Sequence, residues 1–494
     1  MSESGETSPG RPTHIGRMRI DDDTAHAATE ARDKRFDGRF FIGVTSTGIY
    51  CRCVCTARTP KRQNRRFFPT AAAAELAGFR PCLLCRPERA PGQAPIDAAE
   101  RLAHGALRRI EAGALEEQGL EELAASLGVT GRHLRRVMME TFGAAPIDLA
   151  QTHRLLTAKR LLADTELPIT EVAFASGFKS VRRFNALFQE RYALTPSRVR
   201  RRAERPRPQT LGLRLEARGP LEPEAVLEDL LRRQLTGVEL RTGEYSWTRT
   251  LALGAHVGWI TLSVEPQGVQ LRLSDGLFPA VRQLVAATRG ALDLDADVDA
   301  IHGALSRHAP FAHEHPAMRL PGALDAFETA VRAVLGQQVT LSAGRTLGAR
   351  LVERYGTPVE TPFAGLTHLF PSAERLAEAS GEDIARIGMP RKRGETVREL
   401  ARAAAQGQLR LARGAVGAGR AGLEQLPGIG PWTLEYIALR GLGDPDAFPL
   451  GDSALRAAFG AGDLARACEA WRPWRGYAAA RLWRMHSHPE RRAA

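Results

Sequence analysis

The chain alternates between long helical patterns and one stretch of strand pattern. From about residue 96 to 200 apolar residues recur at helical spacing, in two related stretches: LEELAASLGVTGRHLRRVM (Leu120 to Met138) and ITEVAFASGFKSVRRFNALF (Ile169 to Phe188). Ala124 stands four residues before Gly128, and 49 residues later Ala173 stands four before Gly177. A small residue where two helices cross, followed by glycine at the bend, is what a helix-turn-helix requires. Between the two units the pattern predicts a connecting helix over Ile147 to Leu162. From about Leu211 to Leu292 the period shortens to strand-like alternation, as in WITLSV (Trp259 to Val264) and VQLRL (Val269 to Leu273), around one helical segment. Helical spacing then resumes in ALDAFETAVRAVLGQQVTL (Ala323 to Leu341) and VRELARAAA (Val397 to Ala405). No apolar run is long enough to span a bilayer.

Proline and charge mark the joints. APGQAP (Ala90 to Pro95) and RRAERPRPQ (Arg201 to Gln209) are too rich in both to pack as regular elements, and the first 30 residues have the Ser, Gly, Thr and charge content of a tail. The expected organisation is multidomain and mainly α: a tail over 1–30, a small α+β zinc domain over 31–92, an all-α double helix-turn-helix domain over 96–200, a linker over 201–209, a small mixed α/β domain over 210–290, and an all-α helix-hairpin-helix domain over 291–494. With the domains joined by a Pro-rich linker, the helix-turn-helix half and the back half are expected to have separate cores and limited coupling.

Charge adds a partner to this picture. The chain of 494 residues has 69 Lys and Arg against 56 Asp and Glu, a net charge of +13. Residues 1–210 hold 35 basic and 24 acidic side chains, and the remainder 34 and 32, so the positive field belongs to the front half. Double-stranded DNA is the polyanion such a field suits. The basic side chains of the repeated helices, Arg132, Arg135 and Arg136 in one and Lys179, Arg182 and Arg183 in the other, are either a DNA-reading face or solvated surface.

Five of the six cysteines lie in the first 85 residues: Cys51, Cys53, Cys55, Cys82 and Cys85. A C-x3-C pair and a C-x2-C pair can each chelate one edge of a tetrahedral ion, so one Zn2+ is expected. With no apolar leader pattern at the start and only Cys468 beyond, disulfides are the weaker reading and a reduced cytoplasmic location the expected one. Between the pairs lie Arg58, Lys61, Arg62, Arg65 and Arg66 with Phe67 and Phe68, a segment suited to a phosphate backbone. A structural zinc module that is merely basic remains the alternative.

TGIYCRCVCTAR (Thr47 to Arg58) with GFRPCLLCRP (Gly78 to Pro87) resembles the zinc domain of the Ada methylation-response proteins. The resemblance implies zinc held by Cys51, Cys55, Cys82 and Cys85, with Cys51 accepting a methyl group from a methylated DNA phosphate and Arg58 touching phosphate. Cys53 departs from the family pattern, as an idle neighbour or a competing ligand. The paired helix-turn-helix units resemble the AraC-type DNA-binding domain, which implies a transcription activator switched by methylation damage, with promoter DNA and RNA polymerase as partners. A P-C-H-R stretch of the O6-methylguanine-demethylating domain is absent, and Cys468 reads as a buried helical residue.

The segment LEQLPGIGPWTLEYIALRGLG (Leu423 to Gly443) reads as a hairpin between helices. Gly428 and Gly430 let backbone N–H groups approach a phosphate at a helix start, although glycines also serve as plain helix caps. Asp452 follows Gly430 by 22 residues in FPLGDSALR. That spacing, with RLPGALDAFETAVRAVLGQQVT (Arg319 to Thr340) and WRPWRGYAAARLW (Trp471 to Trp483), resembles the AlkA-type 3-methyladenine glycosylases from about Leu211 to the end. The resemblance implies Asp452 as catalytic carboxylate, Trp432, Tyr436 and Trp483 as an aromatic base pocket, and Gln338 at the family's wedge position, less apolar than usual. On residue type alone, Asp452 also reads as a helix N-cap before Ala454, common for Asp but not for one that follows such a hairpin at this distance, and the aromatics read as core. Tryptophan at 432, where strand-cutting relatives have lysine, implies base removal without strand cleavage. A transcription regulator whose glycosylase fold only grips DNA is the alternative function.

Overall fold

A computed structural model describes residues 21–33, 36–37, 40–68, 74, 77–82, 84–85, 87, 95–117, 119–200, 209–312 and 318–488. The linker expected over 201–209 falls almost wholly outside these residues, as does the tail up to residue 20. The chain divides into two units, Met1–His104 and Gly105–Ala494.

In the first unit the tail ends sooner than its composition suggested. Residues Asp22–Glu30 form a helix because Asp21 caps it by accepting from the Thr24 backbone N–H, and because Ala25 and Ala28 fall on one buried stripe. The four-stranded sheet has the order β3-β1-β2-β4, with β1 Phe41–Val44, β2 Ile49–Arg52, β3 Arg65–Phe68 and β4 Arg80–Pro81. The central β1 is buried along its whole length, with Phe41, Tyr50, Phe68 and Phe79 in one cluster and Phe40, Ile42 and Cys53 in another.

The second unit begins with the helical repeat. Helices Leu120–Ala125 and Gly131–Phe142 form one helix-turn-helix, Ile169–Ala175 and Val181–Tyr192 the other, and the connector runs over Pro146–Asp164. Ala124 and Ala173 are fully buried at the crossings, and Gly128 and Gly177 take positive φ (74° and 86°), where a side chain would be strained. The strand pattern forms a five-stranded antiparallel sheet, in the order β5-β9-β8-β7-β6: β5 Thr210–Glu216, β6 Glu239–Gly243, β7 Ser246–Leu253, β8 His256–Glu265 and β9 Gly268–Ser274. Helix Pro223–Arg232 crosses it. The remaining helices pack as two clusters, one around Val334, Leu351, Leu400 and Ile437 and one around Leu439, Phe448, Leu455, Trp471 and Tyr477.

The expectation of separate cores is overturned. Val172, Phe178, Phe184 and Phe188 of the second helix-turn-helix belong to the same buried cluster as Leu211, Leu271, Leu277, Phe278 and Val281 of the sheet domain. Polar groups reinforce the contact: the buried Arg282 guanidinium donates to the Ile110 and Glu111 carbonyls at 3.3 and 3.2 Å and pairs with Glu116, which also accepts from Arg154 at 2.9 Å. A Pro-rich linker shows only that its own residues do not pack; it does not hold apart the apolar faces on either side.

A shared core predicts shared stability. Phe278→Ala should cost about 3–5 kcal/mol and should raise amide exchange in Val181–Tyr192 as well as in β8 and β9, read by hydrogen exchange with mass spectrometry. Faster exchange confined to the sheet would show that the two parts unfold independently.

Candidate functional site

The thiol cluster is built from two short backbone segments. β2 delivers Cys51, the turn after it delivers Cys55, and the segment after β4 delivers Cys82 and Cys85. Parallel pairing of Ile49 and Tyr50 with Arg80 and Pro81 brings the segments together, and their four Sγ atoms lie within 4.8 Å of one another. Zinc–sulfur bonds of about 2.3 Å set tetrahedral sulfurs about 3.8 Å apart, so a small contraction closes the shell and the donor set fits the ion. Cys53 is outside the group: it is 2% exposed, packs with Ala25, Ala28, Phe40 and Ile42, and its thiol donates to the Asp33 carbonyl at 3.5 Å.

The charge balance among these thiols points the same way. The Cys85 thiol is drawn down to about 5, chiefly by a hydrogen bond from Cys51, against burial and with help from the Arg52 backbone N–H at 3.4 Å. Cys51 is correspondingly pushed up, by that hydrogen bond, by burial and by its thiol neighbours, and burial pushes Cys55 up to about 11. Four thiols this close cannot all ionise on their own, which is the deficit a divalent cation makes good. Arg52, which sequence reasoning passed over, braces the site: its guanidinium donates to the Cys85 carbonyl at 3.2 Å and to Asp37 Oδ1 at 2.9 Å.

The basic segment between the cysteines keeps most of its charge at the surface while its aromatics pack inward. Phe68 is core, Phe67 packs edge-on against His26 and Phe40, and Arg65 is tied to the Pro60 carbonyl and Glu30. Such rings cannot stack on DNA, because β3 turns them into the sheet's own packing. Arg58, Lys61 and Arg66 remain exposed.

In the helix-turn-helix pair, Arg132, Arg135, Arg136, Lys179, Arg182 and Arg183 are all exposed. Arg136 pairs with Glu140 at 2.9 Å and Arg135 lies 3.6 Å from Glu121. Arg132, Lys179, Arg182 and Arg183 hold no ion pair among the described residues. Thr130 and Ser180 cap the two second helices by accepting from the backbone N–H groups of His133 and Arg183.

The hairpin links helix Val416–Glu424 to helix Pro431–Arg440. Gly428 is required twice over: its φ is 86°, and a Cβ would meet Thr396 Oγ1 at 2.1 Å. Gly430, with open space around it, is the N-cap that precedes Pro431. Asp452 caps a helix and at the same time reaches the aromatic residues. Its Oδ1 caps helix Ser453–Phe459 by accepting from the Ala454 and Leu455 N–H groups at 3.0 and 3.1 Å, and also accepts from Trp483 Nε1 at 3.2 Å. Its Oδ2 accepts from Trp432 Nε1 at 3.0 Å. Tyr436 stacks on Trp432, with centroids 5.2 Å apart, and meets Trp483 edge-on at 6.1 Å. Carboxylate and aromatic trio therefore form one constellation, drawn from the hairpin helix, the loop after it and helix Arg475–Ser487.

Gln338 lies apart from that constellation, exposed and in the left-handed region (φ 54°), beside the exposed apolar Val339 and Leu341. The residue before it, Gln337, was missed by sequence reasoning. Its side-chain amide donates at 2.9 Å both to the Gly428 carbonyl and to Thr433 Oγ1, which ties this turn to the hairpin. A glutamine pair alone carried no signal of that bridge. Cys468 is buried in helix Leu464–Glu469. Among the described residues no helix is long and apolar enough to cross a membrane.

Comparison with known proteins matches four family models in order along the chain: the metal binding domain of Ada over residues 24–88, a helix-turn-helix domain over 123–202, the AlkA N-terminal domain over 212–325, and the HhH-GPD superfamily of base excision DNA repair proteins over 331–467. The chain is 40% identical over 490 residues to a probable bifunctional transcriptional activator/DNA repair enzyme AlkA of Mycobacterium tuberculosis, covering 96% of this chain and 98% of that one. Its back half is 34% identical to DNA-3-methyladenine glycosylase 2 of Escherichia coli, over 51% of this chain and 90% of the relative. A further 34% of the chain is 31% identical to the bifunctional transcriptional activator/DNA repair enzyme AdaA of Bacillus subtilis, over 77% of that relative.

The chain belongs to the family of bifunctional transcriptional activator/DNA repair enzymes, in which an Ada-type zinc domain and a helix-turn-helix activator domain are fused to an AlkA-type glycosylase. It is an alkylation-response protein with one Zn2+ site, and DNA is its partner.

The position of Cys53 yields a direct test of the metal site. Cys53→Ser should keep one zinc per chain by elemental analysis, at a stability cost of about 1–3 kcal/mol for a hydroxyl in an apolar cluster. Cys85→Ser should lose the metal. Loss of zinc in the Cys53 variant with retention in the Cys85 variant would reverse the assignment.

Proposed function

We propose that the front half repairs and senses methyl phosphotriesters in DNA through Cys51, and that the back half removes alkylated purines of the 3-methyladenine class without cutting the strand. What supports the second activity above all is the Asp452 carboxylate, hydrogen-bonded to two indoles of an aromatic pocket and placed 22 residues after the hairpin glycine.

In the sensor, Cys51, Cys55, Cys82 and Cys85 hold the zinc, which when bound keeps these sulfurs as thiolates at neutral pH. Cys51 Sγ attacks the methyl carbon of an uncharged phosphotriester; the S–C bond forms, the C–O bond breaks, and the phosphodiester leaves with the electron pair. Arg58, exposed beside the site, receives the phosphate. Four thiolates around a dication carry about two negative charges, and methylation of Cys51 removes one, so repulsion of the DNA backbone falls. The thioether formed on Cys51 is a poor methyl donor, so the methyl stays there and each molecule reacts once. The exposed arginines of Gly131–Phe142 and Val181–Tyr192 then read promoter DNA, and the activator works on RNA polymerase in the cytoplasm.

In the glycosylase, backbone N–H groups at the Gly428–Gly430 turn hold a phosphate, Gln338 fills the space left by the extruded nucleotide, and the base enters between Trp432, Tyr436 and Trp483. The glycosidic bond breaks with its electrons going to the base. Asp452 stabilises the positive charge that grows on the sugar and orients the water that adds to it. Trp432 has no amine to form a Schiff base, so the product strand keeps an intact backbone at the abasic site.

Two measurements test this reading. Asp452→Asn should lower excision of 3-methyladenine by at least about 100-fold, in line with the loss of one preorganised transition-state charge. Binding to duplex carrying an abasic analogue should persist, because the hairpin is untouched. Full activity in the Asn variant would leave a DNA-gripping fold without catalysis. For the front half, peptide mapping after incubation with methyl-phosphotriester duplex should find one methyl, on Cys51, and tighter promoter binding; a methyl on Cys53 or unchanged affinity would refute the switch.

A further inference from the structure

Behind the aromatic pocket stands a partly buried charge arrangement that the proposed mechanism does not use. Arg233, at the C-terminal end of helix Pro223–Arg232 in the sheet domain, directs Nε at the Tyr436 hydroxyl, 3.4 Å away. Its terminal NH1 donates to Asp229 Oδ1 at 2.6 Å, and the other Asp229 oxygen accepts from Arg440 at 2.8 Å. Arg440 lies on the same helix as Trp432 and Tyr436, and its side chain is 6% exposed; those of Asp229 and Arg233 keep 29% and 21%. Two cations and one anion thus meet on the Tyr436 side of the base pocket, with one positive charge in excess within this group, while the Asp452 carboxylate lies beside Trp432 and Trp483.

We propose that Arg233 and Asp229 set the preference between positively charged and uncharged bases at this pocket, Arg233 favouring uncharged bases and Asp229 restoring tolerance of charged ones. The proposal rests on the glycosylase reading above and names what that reading leaves open, the charge class of the base.

The argument follows the electrons. A purine alkylated at a ring nitrogen is cationic while bound and leaves as a neutral molecule, because the pair from the broken C1′–N bond cancels its charge. An uncharged purine leaves as an anion, which must be stabilised until a proton from water replaces the lost bond; water also supplies the hydroxyl that adds to C1′. A cation at the pocket edge repels the first base in its bound state and stabilises the second as negative charge develops. Arg233 acts through the ring as well: a hydrogen bond from a cation to the Tyr436 hydroxyl draws density from the π face that would attract a cationic base. Burial alone would raise the Tyr436 phenol, yet the charges of Arg233 and Arg440 and the hydrogen bond hold it below its usual range. Asp229, ionised despite burial because Arg233 and Arg440 flank it, cancels part of their charge.

The test is single-turnover excision by the full chain on two duplexes, one with 3-methyladenine and one with hypoxanthine, an uncharged purine. Arg233→Gln should lower the hypoxanthine-to-3-methyladenine rate ratio by about tenfold, the size expected of one partly screened charge, and Asp229→Asn should raise it by a similar factor. Arg233→Lys keeps the charge and should stay near the wild-type ratio, which guards against variants that fold poorly. Equal losses on both substrates, an unchanged ratio, or a Lys variant that behaves like the Gln variant would overturn the proposal. A wild-type chain that releases neither base would overturn the glycosylase reading instead, an outcome separate from excision whose ratio ignores both substitutions.

Discussion

The back half of this protein depends on one carboxylate accepting four hydrogen bonds. Asp452 takes two from the first turn of helix Ser453–Phe459 and one from each of two indoles, Trp432 and Trp483. Each bond has a separate consequence. The helix N–H groups fix the side-chain torsion. The indoles fix the aromatic walls relative to the charge. An N-cap and a catalytic acid group are often weighed as competing explanations for an Asp before a helix. Here the cap also holds the carboxylate rigid beside two indoles, so the capping role does not count against the proposed catalytic one.

The front unit meets the opposite electrostatic problem. Four thiols within 4.8 Å of one another repel as they ionise, and the structure answers with geometry: a parallel pairing of β2 with β4 that forces the two cysteine pairs together, and an Arg52–Asp37 brace that holds the Cys85 backbone. A site built this way is poised for a dication and sensitive to the loss of one charge, which is the property a switch needs.

Much of this was legible in the sequence, for physical reasons that differ between elements. The helix-turn-helix repeats could be read because small residues at crossings and glycines at bends are dictated by sterics, as buried Ala124 and Ala173 and positive-φ Gly128 and Gly177 show. The thiol group could be read because metal chelation demands short, fixed spacings. The packing of Phe67 and Phe68 was not legible, because a basic segment with aromatics has the composition of a DNA-binding strip, whereas alternation along β3 sends the two rings to different apolar clusters. Arg52, Gln337 and Arg233 were invisible for a different reason. Each acts on a partner far along the chain, at Cys85, Gly428 and Tyr436, and no local pattern encodes a contact across that separation.

The same limit explains the largest surprise, the core shared by the second helix-turn-helix and the sheet domain. Alternation along β5, β8 and β9 says that one face is apolar, and the helical period says the same of Ile169–Phe188, but neither says that these faces meet. Once they do, the partition of labour changes. An activator tethered by a flexible linker could search for promoters while the glycosylase searched for lesions. A helix-turn-helix whose helix Ile169–Ala175 packs against Asp275–Ala280, within one buried cluster that continues into the sheet domain, moves with it. A folded domain is stable by only about 5–15 kcal/mol, so sharing a core also shares that margin: neither half can loosen without cost to the other. Regulation and repair in this chain are therefore joined by packing as well as by sequence, and selection on one function constrains the side chains that serve the other.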